Sequence, residues 1–173
     1  MELTTATALI ERGVEKTSHP QTWADLGAGE GLFTNALSRL VAPQSTIYAI
    51  DRNERDLQQV EIADSIHLKK IPVDFVKEEI KMDPLDGVIM ANALHFVKDS
   101  AVFLQKIKKI VKPSGRVIIV EYEMTTPNQW VPYPIGLRKM EALAKQAGLN
   151  TPIMLAEAQS VFNNRKIYSV LLR

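Results

Sequence analysis

The stretch Ala24-Asp25-Leu26-Gly27-Ala28-Gly29-Glu30-Gly31-Leu32-Phe33-Thr34 decides the fold. Thr22 to Leu26 has the apolar run of a short buried strand, and from about Glu30 to Val41 the residues Leu32, Phe33, Ala36, Leu37, Leu40 and Val41 recur on one helical face. Between them lies a turn with glycine at every second position, Gly27, Gly29 and Gly31. Glycine permits backbone conformations closed to other residues and lets a ligand approach the main chain without meeting a β-carbon. Strand, glycine turn and helix together make a nucleotide-type loop. The spacing is G-x-G-x-G, not the G-x-G-x-x-G of dinucleotide enzymes, and Asp25 stands just ahead of the first glycine. A carboxylate at the mouth of the turn repels a pyrophosphate and attracts a ligand carrying an ammonium or a sulfonium.

Outward from this unit the pattern keeps alternating between strand-like runs and stretches of helical period, which predicts a parallel α/β sheet. Upstream, Glu2 to Lys16 reads as an opening helix with Ala6, Leu9, Ile10 and Val14 on its stripe, broken at His19-Pro20. Downstream, strands are expected at Thr46 to Ile50, Leu68 to Val73, Gly87 to Met90 and Arg116 to Glu121, with a helical segment over Asn53 to Ala63. Asp99 offers an N-cap for a helix carrying Val102, Phe103, Ile107, Ile110 and Val111, and Lys108, Lys109 and Lys112 gather where the dipole favours cations. Pro113 and Gly115 are expected to stop it, and Leu137 to Ala147 forms a further helix closed by Gly148. Ile153 to Glu157 and Lys166 to Leu172, separated by a turn at Asn163-Asn164, complete the chain as an antiparallel hairpin at one edge. The fold class is therefore α/β: a doubly wound, mostly parallel seven-stranded sheet with an antiparallel C-terminal hairpin, in one domain over residues 1–173.

Composition supports this and excludes several functions. The chain has 173 residues, 46% apolar and 24% charged, enough for a substantial core. With 21 basic and 20 acidic side chains the net charge is +1, without the positive field of a dedicated nucleic-acid binder. Lys69, Lys70, Lys77 and Lys81 read as solvated charge. The absence of cysteine excludes a disulfide scaffold, a thiolate zinc site and a cysteine nucleophile, and a reducing compartment is the simplest fit. No metal site is expected. No apolar run approaches the roughly 20 residues that span a bilayer, and the acids in MELTTATALIERG argue against a signal peptide, so a cytoplasmic location is expected.

Two further acids extend the glycine turn into a pocket. Asp51 falls at the end of the second strand, where an acid accepts hydrogen bonds from both hydroxyls of a ribose, and Asp74 ends the third, placed to accept from the exocyclic amine of adenine. Acids at the carboxyl ends of successive strands describe a site for a nucleoside whose sugar carries no phosphate, the shape of S-adenosylmethionine. On these motifs the sequence resembles the class I S-adenosylmethionine-dependent methyltransferases, in which D-x-G-x-G-x-G, an acid after the second strand and an acid after the third recur in this order. The resemblance covers about Thr22 to Gly148. It implies S-adenosylmethionine as cofactor, with its methionine part held by Asp25, Gly27, Ala28, Gly29 and Gly31. It further implies a ribose held by Asp51 with Arg52 beside it, an adenine by Asp74 and Phe75, and Asn92 beside the reacting methyl. The segment Met90-Ala91-Asn92-Ala93-Leu94-His95-Phe96 is not N-P-P-Y or D-P-P-Y, which removes support for amino-nitrogen methylation of nucleic acids and glutamine. Cysteine-dependent cytosine and arsenic methylation are excluded, and specificity is left to the opening helix and the loops at Ala93 to Ser100 and Tyr122 to Gly136.

His95 is the histidine at a strand's carboxyl end, where an α/β sheet opens its ligand crevice, and it reads either as a general base or as a wall residue beside Phe96. His19 and His67 read as surface or loop residues. In Pro127-Asn128-Gln129-Trp130-Val131-Pro132-Tyr133-Pro134-Ile135, Trp130 and Tyr133 read as a lid over a small organic acceptor or as aromatics covering the core, and Tyr133 is the second candidate base. Glu121 and Glu123 lie near the same mouth, with at least one expected to be solvated. The expected function is S-adenosylmethionine-dependent methylation of a small-molecule acceptor. A nicotinamide oxidoreductase, a non-catalytic module that binds the cofactor, and a protein or RNA methyltransferase remain open at this point.

Overall fold

Strand β1 (Thr22–Leu26) encloses Trp23, Ala24 and Leu26 completely, because it lies in the middle of a sheet covered on both faces. The computed structural model describes residues 1–78, 80–159 and 165–173. Around β1 are β2 (Thr46–Asp51), β3 (His67–Pro72), β4 (Leu85–Ala91) and β5 (Val111–Tyr122), all parallel, while β6 (Ile153–Gln159) and β7 (Lys166–Leu172) run antiparallel. The strand order is β3-β2-β1-β4-β5-β7-β6. The last two strands pair as expected, with β7 inserted between β5 and the edge strand β6. The Asn163-Asn164 turn lies outside the described residues.

Helices α1 (Leu3–Ile10), α2 (Leu32–Ser38), α3 (Glu54–Gln58), α4 (Ser100–Ile110) and α5 (Leu137–Gln146) supply the two outer layers. On one face Leu104 of α4 and Met140 of α5 join Val88, Met90 and Tyr168 of the sheet. On the other, Leu9 of α1 and Leu37 of α2 join Trp23, Ile89 and Ile118. Strands β2 and β3 lie on one side of β1 and β4 on the other, so the connections diverge at the carboxyl ends of β1 and β4. In open α/β sheets that divergence leaves a crevice for ligands.

Several boundaries differ from the sequence reading. Helix α1 stops at Ile10 instead of reaching Lys16, because the chain must pass close to the sheet: a β-carbon on Gly13 would lie 2.7 Å from both Ile118 and Leu155. Helix α2 starts at Leu32, after Gly31 at φ 89°, and ends at Ser38 instead of Val41, while α3 covers only Glu54–Gln58 of the expected Asn53 to Ala63. Strand β5 begins at Val111, directly after α4, so Val111 and Lys112 belong to the strand and not to the helix. Its pairing with β4 shifts register between Leu85 and Gly87, and Pro113 and Gly115 fall in the extra residues of that irregularity. The prolyl nitrogen, which has no hydrogen to donate, is thereby spared a ladder position.

Candidate functional site

The glycine turn closes by hydrogen bonding to the neighbouring strand. The N–H groups of Gly27 and Ala28 both donate to the Ile50 carbonyl, at 2.8 and 3.1 Å, and the Gly31 N–H donates to Ala28 O at 2.9 Å. All three glycines have positive φ, at 84°, 52° and 89°. Their steric reasons differ. A β-carbon on Gly27 would stand 2.6 Å from that of Ala93, and one on Gly31 would stand 2.6 Å from Val60, so both positions are needed for packing. A β-carbon on Gly29 would meet nothing within 4 Å, so this is the glycine with open space before it. Its N–H donates to Asp51 Oδ2 at 2.9 Å, tying the turn to the end of β2.

Beside the turn a cleft of about 240 Å³ is lined by Asp51, Arg52, Asp74, Phe75, Asn92 and Phe96, among others. A second depression of about 350 Å³ shares Gly27, Asp56 and Asn92 with it and adds Asp25, Ala28 and Glu30. The structure thus brings together Asp25, Gly27, Ala28, Asp51, Arg52, Asp74, Phe75 and Asn92, all anticipated from the sequence. Gly29 and Gly31 do not line either part and act through the turn. Asp56, Glu30 and Phe96 line the cleft without having been anticipated. The position of Asp56 in the first turn of α3 reads as simple complementation of the helix dipole, which hides any other role.

Five acids, Asp25, Glu30, Asp51, Asp56 and Asp74, face this space with Arg52 as the one base among the lining residues. Asp25 is 1% exposed, and its Oδ2 accepts from Thr34 Oγ1 at 2.6 Å. Burial pushes its carboxyl from 3.8 up to about 7; the Thr34 hydrogen bond opposes the rise and the negative charge of Asp51 adds to it. Asp25 Oδ1 is enclosed and has no partner among the described residues, and the same is true of Asn92 Oδ1. Asn92 is held at φ 51° just after β4, a left-handed conformation rare outside glycine. Buried acceptors without donors are costly. Both of these acceptors belong to residues that line the same acidic depression. Asp51 is fixed by the N–H groups of Gly29 and Asn53, at 2.9 Å each. Slight burial opposes ionisation of Asp74, but hydrogen bonds from Lys77 and the Val76 N–H, with the charges of Lys77 and Arg52, outweigh it and hold the carboxyl below its ordinary value. Of the lysines read as solvated, Lys77 pairs with Asp74 at 3.2 Å, Lys70 donates to Gln58 O and Lys69 to the Tyr48 hydroxyl.

His95 lies apart from the lining residues. It is 2% exposed, its ring 4.4 Å from that of Phe96, and Nδ1 is 2.7 Å from Glu121 Oε2. Glu121 is fully buried, and Glu123 Oε2 accepts from the Leu137 N–H at 2.9 Å, so neither acid is merely solvated as expected for at least one of them. Tyr133 lines a separate cavity of about 600 Å³ with Met124, Pro127, Pro132, Leu137 and Arg138, and its N–H donates to the His95 carbonyl at 3.0 Å. Trp130 is 73% exposed and does not line that cavity. Of the two readings of this segment, a lid over an acceptor or aromatics covering the core, neither is met by Trp130, which projects into solvent. His19 and His67 are exposed, as expected.

A family profile described as a methyltransferase domain matches residues 24–119, more than half of the chain. The chain belongs to that family. Among curated methyltransferases, the chain is 29% identical over 124 residues to the mitochondrial ubiquinone biosynthesis O-methyltransferase of Bos taurus, covering 69% of this chain and 32% of that protein. It is 28% identical over 104 residues to the demethylmenaquinone methyltransferase of Staphylococcus aureus, covering 59% of this chain and 43% of that one. The chain thus spans less than half the length of these two relatives. The methyltransferase fold is shared with a SAM-dependent methyltransferase of Leishmania major (TM-score 0.77, 13% identity, 99% of this chain and 72% of that one). It is shared too with the Burkholderia thailandensis 1,6-didemethyltoxoflavin-N1-methyltransferase, solved with 1,6-didemethyltoxoflavin and S-adenosylhomocysteine (TM-score 0.73, 18% identity, 99% and 77%).

Proposed function

We propose that this methyltransferase-family chain binds S-adenosylmethionine in the acidic cleft and transfers its methyl group to a small-molecule acceptor. The observation that carries this reading is the pair of enclosed, partnerless acceptors, Asp25 Oδ1 and Asn92 Oδ1, on one acid-lined cleft. A diphosphate has no donors for them and is repelled by the surrounding carboxylates. An ammonium supplies both charge and hydrogen. Asp25 takes the ammonium of the methionine part, with Gly29 leaving room at the turn and Gly27, Ala28 and Gly31 shaping it. Asp51, already oriented by two backbone N–H groups, receives the ribose hydroxyls with Arg52 beside it. Asp74 and Phe75 take the adenine, and Asn92 stands between the two parts of the cleft, beside the methyl.

When bound, the sulfonium supplies an already activated methyl group. What remains for the protein is to hold the acceptor about 3 to 3.5 Å from that carbon and in line with the leaving sulfur. Asn92 leaves β4 in a left-handed backbone conformation at this point. His95 serves as the base for a protonated acceptor, and Tyr133 belongs to the wall that receives the acceptor. The demethylmenaquinone and 1,6-didemethyltoxoflavin in the names of one relative and one structural neighbour support a small-molecule acceptor. Among the described residues no helix is long and apolar enough to cross a membrane. With no cysteine to oxidise, a reducing compartment suits the chain, and the cytoplasm is the proposed location.

Calorimetric titration with S-adenosylmethionine, S-adenosylhomocysteine and NAD tests the reading. Both adenosyl compounds should bind competitively, one per chain, and NAD should give no heat. A chain that binds NAD and neither adenosyl compound overturns it. An acceptor screen that monitors release of S-adenosylhomocysteine then separates an enzyme from a module that only binds.

A further inference from the structure

The cavity of about 600 Å³ beside Tyr133 shares no lining residue with the cofactor cleft, and its size suits a small organic molecule. Met124, Pro127, Pro132, Tyr133, Pro134 and Leu137 make its walls largely apolar. Three of these are prolines, which carry no N–H, so the wall is short of neutral donors. It is also formed in advance. The Tyr133 N–H donates to the His95 carbonyl at 3.0 Å, the Tyr168 hydroxyl to the Ile135 carbonyl at 2.6 Å, and the Lys139 ammonium to the Pro134 carbonyl at 2.9 Å. A ligand entering here does not have to order that stretch of loop. The first of these bonds links the cavity to the cofactor cleft, because Phe96, the residue after His95, lines the cleft.

The charges on this cavity are the reverse of those on the cleft. Arg138 and Lys139 line it with Glu123 as the one acid. Glu123 already has a partner: its Oε2 accepts the Leu137 N–H at 2.9 Å, and a β-carbon on Gly136 would stand 2.8 Å from its Oε1. The carboxylate thus lies on the positive end of α5, which compensates its charge. Arg138 has no such partner. It forms no ion pair or side-chain hydrogen bond among the described residues, not even with Glu141 one turn on. Its place in the first turn of α5, where the dipole disfavours cations and no acid stands, gives it no value to the helix. We infer that Arg138 is the specificity-determining residue for the methyl acceptor, and that the acceptor is an organic anion, a flat apolar body bearing a carboxylate. This rests on the methyltransferase reading above. The apolar walls take the body, and the planar guanidinium meets the carboxylate with two parallel N–H donors. The acidic cleft holds the cationic cofactor and the basic cavity the anionic acceptor, so each space repels the other's ligand.

Two probes of one shape, 2-naphthoate and its neutral isostere 2-naphthamide, test this without cofactor. Titrated into ¹H–¹⁵N correlation spectra, naphthoate should shift the amides of Thr125, Tyr133, Leu137 and Arg138 with a Kd of about 1 mM, ordinary for so small a ligand. Naphthamide should bind about tenfold more weakly, the worth of a charge-assisted contact on a partly solvated guanidinium. Arg138 is exposed, so substitutions there spare the fold. Arg138→Gln should raise the naphthoate Kd to that of the amide and leave the amide within about twofold, and Arg138→Lys should restore only part, because an ammonium lacks the fork. Equal affinities in the wild-type protein, shifts centred elsewhere, or no saturable binding of naphthoate up to about 10 mM would overturn the inference. So would an Arg138→Gln protein that loses both probes alike. In a screen following S-adenosylhomocysteine release, aromatic carboxylic acids should exceed their methyl esters about tenfold in kcat/KM, and Arg138→Gln should erase that ratio through KM with kcat little changed. Equal turnover of acids and esters by the wild-type protein also overturns it. Failure of S-adenosylhomocysteine to bind the wild-type protein would instead sink the methyltransferase reading, with the naphthoate titration still reading the cavity by itself.

Discussion

Removing the charge of Asp25 should stabilise the ligand-free protein above neutral pH while weakening its hold on the cofactor. The carboxyl lies in the sheet with 1% exposure and is pushed from 3.8 up to about 7, by burial first, with the Thr34 hydrogen bond opposing and the charge of Asp51 adding. Between these two values the folded protein keeps a proton that the unfolded chain has lost, so unfolding stability falls as pH rises through the window. The slope approaches about 1.4 kcal/mol per pH unit, and the full loss, complete above the folded value, is about 4 kcal/mol. Asp25→Asn cannot ionise and escapes that loss. It places an amide where Oδ1 has no partner, which costs about 1 to 3 kcal/mol. The balance at about pH 8 is a gain of about 1 to 3 kcal/mol, and at about pH 4, where the wild-type acid is neutral in the folded protein, the gain vanishes or reverses.

Urea denaturation of both proteins without ligand, at intervals across this range, checks the argument. The two stability curves should cross. Calorimetry supplies the other half. The ammonium of S-adenosylmethionine needs the ionised carboxylate, so wild-type binding below the Asp25 value should release a proton and weaken about tenfold per pH unit. Asp25→Asn should lose that dependence and bind, at every pH, about 10- to 100-fold more weakly than the wild-type protein binds above the Asp25 value, the worth of one hydrogen bond to a charged group. A flat wild-type stability curve across the window, with no crossing, would show that Asp25 is already ionised in the empty cleft and refute the reasoning.

Asp51→Ala removes the acceptor for the N–H groups of Gly29 and Asn53 together with the proposed ribose contact, and should weaken S-adenosylhomocysteine at least tenfold by calorimetry. The paired variants Gly29→Ala and Gly31→Ala should divide stability from binding. Gly31 has φ 89° and a β-carbon position 2.6 Å from Val60, so its alanine should lose about 2 to 4 kcal/mol by urea denaturation. Gly29→Ala carries only the backbone strain, about 1 to 2 kcal/mol, but fills the open side of the turn, so its larger loss should be in cofactor affinity.

The parts of this molecule written locally were readable in the chain. The glycine turn, the alternation of strands and helices, and the acids at strand ends each occupy a few consecutive residues, and the cleft gathers Asp25, Asp51, Asp74 and Asn92 because parallel strands end side by side. Boundaries were less readable because tertiary packing sets them. Helix α1 ends early where Gly13 must pass Ile118 and Leu155, residues more than a hundred positions away, and the Pro113 irregularity exists to keep β4 and β5 paired on both sides of it.

Glu121 shows the same limit at the site, and also the signal that could have exposed it. As an acid near a strand end it reads as one more solvated carboxylate, and 26 positions separate it from His95. The parallel register of β4 and β5 sets Ala91 opposite Val120, and the Asn92 N–H donates to the Val120 carbonyl at 2.8 Å. The chain leaving β4 therefore turns back over the end of β5, and the first long acid there meets the first ring. An apolar residue at position 121 would leave the buried backbone N–H of His95 without its acceptor, a loss of about 1 to 3 kcal/mol. The chain leaving β4 is thus held to the end of β5 by two contacts to one buried carboxyl group.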